Sequence, residues 1–170
     1  MRRTIKTIAL SAFAAGCILA ARPGWTAVAT LEPTQGNTAS GTVSFVQNGD
    51  KVGVTARVTG LAPGSHGFHI HEKGDCNSPD GMSAGGHFNP HGKAHGNPSA
   101  PDHHAGDMPM LVADGNGVAS LTAELDAVSV GGSTADVIGR SVIVHKDPDD
   151  FATQPTGNSG ARVACGVIRK

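Results

Sequence analysis

His69 and His71 stand two residues apart in "HGFHIHE" (66–72). In an extended strand alternate side chains share a face, so these two imidazoles project together. Neighbouring imidazoles resist being charged at once, and as neutral bases they suit a transition metal. Phe68 and Ile70 then face a core, and His66 on that side reads as a hydrogen-bonded structural histidine. Downstream, "GGHFNPHGKAHGNPSAPDHHAGD" (85–107) holds five more histidines, one aromatic and almost nothing aliphatic. Its Gly and Pro residues break any helix or central strand. In order, His87, His95, His104 and Asp107 offer three imidazoles and a carboxylate, a set suited to tetrahedral zinc. A metal there would fix the stretch from inside, in place of core packing. His145, at the polar end of "SVIVH", is a further imidazole near the C-terminus.

These side chains need elements to hold them. Short runs alternate apolar and polar residues at 41–47, 51–60, 66–72, 117–125, 139–146 and 161–168. "NGD" between the first two reads as a hairpin turn. "LAPGS", "DGNG", "VGGS" and "TGNSG" separate the others. No segment keeps a 3.6-residue period. The expected class is all-β, a sandwich or flattened barrel. Residues 73–109 and 147–160 form two connections far longer than usual, which marks them as functional loops.

The chain has 170 residues, one domain with an extension. Arg2, Arg3 and Lys6 precede an apolar run from Ile8 to about Ala21, and small residues follow at Ala27 and Ala29. The pattern is that of an export leader, residues 1–29, ahead of a domain at 30–170. "AAGC" ending at Cys17 is an alternative, lipid-attachment reading. Arg2, Arg3, Lys6 and Arg22 are four of the 13 basic residues, so residues 30–170 hold nine against 14 acidic ones, a net charge of −5. That excludes a basic nucleic-acid face. Cys76 and Cys165 remain beyond the leader, and two cysteines in an exported chain imply a disulfide.

The motifs "GFHIHEKGDC", "GGHFNPHGKAH", "HHAGD", "GRSVIVHKDPDD" and "GNSGARVACGVI", in that order, resemble the bacterial exported (periplasmic) copper/zinc superoxide dismutases over about 30–168. The resemblance implies a Greek-key β-sandwich, a flattened eight-stranded barrel with two long functional loops. It implies one copper per subunit on His69, His71, His87 and His145, and one zinc on His87, His95, His104 and Asp107. His87 would bridge the two metals, and the family pattern selects His104 over His103. It implies that Asp149 orients ligands from behind, that Arg162 beside copper attracts superoxide, and that Cys76 pairs with Cys165. The implied activity is dismutation of superoxide to oxygen and hydrogen peroxide, by alternate reduction and reoxidation of copper. The implied location is the periplasm, as monomer or homodimer.

Some residues depart from the family pattern. With a charge of −5, attraction of an anion must be local. Lys73 and Lys93 are candidates to help Arg162. His91 and His103 match no ligand and read as exposed loop histidines, with capture of incoming copper as the sharper alternative. A non-enzymatic copper/zinc buffer or chaperone is the rival function.

Overall fold

The computed structural model describes residues 24–170; the basic start, the apolar run and Cys17 lie outside them. Nine strands form one antiparallel sheet: β1 (Thr26–Pro33), β2 (Ser40–Asn48), β3 (Lys51–Thr59), β4 (Gly64–His66), β5 (Phe68–His71), β6 (Leu111–Ala113), β7 (Ala119–Leu125), β8 (Ser141–His145) and β9 (Arg162–Arg169). Among the described residues there is no α-helix, only a 3₁₀ turn at Met82–Ala84. The order across the sheet is β4-β6-β7-β3-β2-β1-β9-β8-β5. The chain skips from β3 to β4 past two strands that it fills later, as Greek-key connections do. The outermost strands, β4 and β5, are consecutive in the chain, so the sheet curls into a nearly closed barrel.

The barrel has nine strands rather than eight because 66–72 is not one strand. It breaks at Gly67. His66 pairs with Leu111 of β6, while Phe68 pairs with Val144 of β8. At the corner the Gly67 carbonyl accepts the His145 N–H at 2.8 Å, and its own N–H reaches the Asp147 carbonyl at 2.9 Å. A Cβ at Gly67 would lie 2.6 Å from Ser159 Oγ, so only glycine turns this corner.

Inside the barrel, Val43, Phe45, Val52, Val54, Phe68, Ile70, Val142 and Ile168 are sealed from solvent, as alternation predicts. Two strands escape the alternation pattern. β6 has three residues, too few for a period to show. β1 overlaps the leader boundary expected after Ala29. Ala27 and Ala29 are in the core, and β1 pairs with β2 and β9. That boundary therefore falls in mid-strand.

Candidate metal centre

β5 is the outermost strand, so one edge of it is free of partner strands. The long loop covers that edge with its own backbone. The Ile70 N–H donates to Gly106 O and the Phe88 N–H to Ile70 O, both at 2.8 Å; the Glu72 N–H donates to Gly86 O at 2.9 Å. His71 thereby faces His87, and His69 faces Asp107. The loop is also anchored by packing, contrary to the expectation that a metal stands in place of core packing: Phe88, Ala105 and Met108 sit in the main core. The Cys76–Cys165 disulfide ties its first part to β9.

Two groups of potential ligands converge here. His69, His71, His87 and His145 form one, and His87, His95, His104 and Asp107 the other, with ligand atoms within 4.8 Å of one another in each group. All seven residues are buried. His87 belongs to both, one ring nitrogen to each side.

In the four-histidine group every outward-facing nitrogen is already used. The His69 Nε2–H donates to Asp149 Oδ2 at 2.6 Å, the His71 Nδ1–H to the Gly85 carbonyl at 2.9 Å, and the His145 Nδ1–H to the Gly160 carbonyl at 3.2 Å. The opposite nitrogens, His69 Nδ1, His71 Nε2, His87 Nε2 and His145 Nε2, are buried without any partner. Four orphaned lone pairs in one place are costly unless something binds them, and a metal ion is what four converging neutral imidazoles fit. Burial is the main cause that keeps the rings neutral. It holds His71 and His145 well below the usual 6.5, lowers His69, and brings His87 down to about 4.

The second group is tighter. Asp107 Oδ1 lies 2.9 Å from His87 Nδ1, 3.0 Å from His95 Nδ1 and 3.5 Å from His104 Nδ1. Asp107 Oδ2 accepts the backbone N–H groups of Gly96 and His104 at 3.1 and 2.9 Å. Burial alone would raise the Asp107 carboxyl, but the hydrogen bonds from His104, His87 and His95 outweigh it and hold it far below the usual carboxylate range. His95 is opposite in sign to the first group. Burial would lower it, yet the hydrogen bonds to Asp107 and Asp149 win and raise it to about 9.

Asp149 joins the groups from behind: Oδ2 takes His69 Nε2–H and Oδ1 takes His95 Nε2–H at 2.9 Å. Gly157, in the left-handed region at φ 65°, approaches so closely that a Cβ would collide with Asp149 and His95. From the second long loop, the Gln154 amide grips the His95 backbone twice. Its Nε2 donates to the His95 carbonyl at 2.9 Å and its Oε1 accepts the His95 N–H at 2.8 Å. No spacing signal in the sequence marks Gln154.

Arg162, half-buried at the start of β9, donates to the carbonyls of Gly81 at 2.7 Å and Gly85 at 2.6 Å. Burial lowers its pKa and Asp80 opposes that, but a guanidinium keeps its charge. Arg162, Asp80, Thr156 and one member of the four-histidine group, His145, line a depression of about 460 Å³. Neither Lys73 nor Lys93 lines it. Lys93 Nζ instead donates to the Pro101 carbonyl at 2.7 Å. His66, as expected, is structural, 2.8 Å from the carbonyls of both His145 and Ala62. His91 is exposed. His103 is not: it is 7% exposed, with its Nδ1–H on the His104 carbonyl at 2.7 Å.

The geometry agrees with what the comparisons with known proteins find. Residues 39–168 match the family model for copper/zinc superoxide dismutase (SODC), so the chain belongs to that family. A solved structure titled "Crystal Structure Analysis of the clock protein EA4" is 39% identical, with a TM-score of 0.77, covering 88% of this chain and 97% of its own.

Proposed function

We propose that this chain is a superoxide dismutase holding one copper and one zinc. The observation that carries the proposal is the set of four buried, unpartnered imidazole nitrogens beside an oriented arginine. Copper would sit on His69, His71, His87 and His145. Zinc would sit on His87, His95, His104 and Asp107. Bonds of about 2.0–2.2 Å to a tetrahedral ion would put neighbouring ligand atoms about 3.3–3.6 Å apart. Here Asp107 Oδ1 lies 2.9–3.5 Å from the three imidazole nitrogens, and His104 Nδ1 lies 3.4 Å from His87 Nδ1.

When bound, copper supplies a one-electron couple and zinc a fixed charge. The chain does the rest. Arg162 binds the anion at the mouth of the depression, its two carbonyl partners holding the fork in place. His87 Nε2, when not ligated, takes a proton and hands it to the reduced oxygen species. Asp149 holds His69 and His95 at fixed orientation. Overall, two superoxide ions and two protons give one oxygen and one hydrogen peroxide.

A metal buffer or chaperone is the second reading, and the neighbour's name as a clock protein keeps a non-enzymatic role in view. A buffer has no use for a half-buried cation set beside its copper ligands. Product stoichiometry separates the two. One oxygen and one peroxide for every two superoxide ions, over many turnovers, is expected of the loaded protein. A single stoichiometric reaction per bound metal would contradict dismutation.

A further inference from the structure

A second depression approaches the metal centre by another route. It measures about 210 Å³ and is lined by His103, Asp107, Ser99, Lys51, Glu124 and Asp126 among others. The depression at Arg162 reaches a residue of the four-histidine group, His145. This one reaches Asp107, of the other group. Their charges differ in kind. The first has one guanidinium, Arg162, against one carboxylate, Asp80. The second has three carboxylates against one ammonium, and that ammonium, Lys51, is 3.4 Å from Glu124. Asp126 makes no ion pair among the described residues.

His103 gives this depression a ligand. A carbonyl can only accept, so the 2.7 Å contact with His104 O places the ring proton on Nδ1. The neutral ring then carries its lone pair on Nε2, which has no partner among the described residues. The residue is only 7% exposed, and it lies on the wall of an acidic depression. It is also the residue immediately before His104. A cation held at His103 Nε2 is one residue away from the group that would keep it.

We propose that this depression is the entry vestibule for the zinc ion, and that His103 Nε2 is a transient ligand. It receives the hydrated divalent cation and passes it to Asp107 and His104 by ligand exchange, with no change of charge or oxidation state. The inference rests on the zinc assignment made above. It replaces the alternative reading in which His103 captures copper, because His103 lines the depression that reaches Asp107.

The test uses disulfide-intact, full-length protein loaded with copper alone, and cobalt(II) as a coloured probe for the zinc position. His103→Asn keeps a donor near Nδ1 and deletes Nε2. A transient ligand lowers the barrier in both directions. The variant should therefore take up cobalt about tenfold more slowly and release it to a chelator more slowly by the same factor, with the equilibrium affinity unchanged. Uptake at the parent's rate would overturn the proposal. So would faster release with weakened affinity, which marks a merely structural residue. Asp126→Asn gives an independent readout. Its uptake should lose part of the parent's ionic-strength dependence, and an unchanged dependence counts against the vestibule. Failure of the parent to bind cobalt would instead overturn the zinc assignment itself, and this proposal with it.

Discussion

At the scale of single residues, the candidate centre is held by hydrogen bonds that decide which nitrogen of each ring is available. Asp149 is the most consequential, because one carboxylate serves both groups. Asp149→Asn replaces an acceptor by an amide N–H that would face an imidazole N–H. Loss of such an orienting group costs about 10–100-fold in metal affinity. Zinc competition with a chromophoric chelator should show a loss of that size in the variant. Unchanged affinity would mean that the imidazoles need no orientation from behind. The His-x-His pair was legible in the sequence, since a two-residue period is enough to put His69 and His71 on one face. Which nitrogen each ring offers was not. His69 offers Nδ1 while His71 and His145 offer Nε2, and only the positions of Asp149, Gly85 and Gly160 decide that. The Gln154 grip on His95 and the burial of His103 were hidden for the same reason: both depend on loop backbone.

At the scale of elements, strands with strict alternation were legible and those without it were not. β2, β3, β7, β8 and β9 fall within two residues of the expected runs. The split between β4 and β5 depends on a long-range contact between Gly67 and Ser159. β1 was obscured because its first residues fall inside the stretch expected to be an export leader. We propose that the leader directs export to the periplasm, and β1 then constrains where it ends. A cut after Ala29 would remove Ala27 and Ala29 from the core and six residue pairs with β2 would shrink to two. Trp25 supports the longer form: its carbonyl accepts the Gln47 N–H at 2.9 Å, and Lys170 Nζ lies 3.8 Å from its ring centre. The intact mass of the mature chain should place its first residue at or before Thr26. A terminus at Thr30 would contradict this.

For the whole molecule, burying so many imidazoles makes stability depend on pH when no metal is bound. His69, His71, His87 and His145 are lowered in the folded chain, chiefly by burial. The folded state therefore binds fewer protons than the unfolded one below pH 6.5. Their contribution is complete above 6.5 and is lost as pH falls, for His87 down to about 4. His95 acts in the opposite sense. Raised to about 9, it stabilises below 6.5 and loses that contribution as pH rises through 9. Below 6.5 the His95 contribution no longer changes, so the four lowered groups give the sign: the Tm of metal-free, disulfide-intact protein should fall steadily between pH 6.5 and 4. A Tm that rises over that interval would contradict the burial of neutral rings.

The same molecule carries a net negative charge over 30–170, yet beside His145 it places the Arg162 guanidinium, with Asp80 as the one carboxylate on the same wall. Superoxide decay followed by stopped flow, on protein loaded with one copper and one zinc, tests the central claim directly. Second-order decay close to the diffusion limit is expected, abolished when copper is withdrawn and retained at neutral pH when zinc alone is withdrawn. Tight binding of both metals with decay no faster than in buffer would contradict it, and would leave the histidines as ligands of a metal carrier.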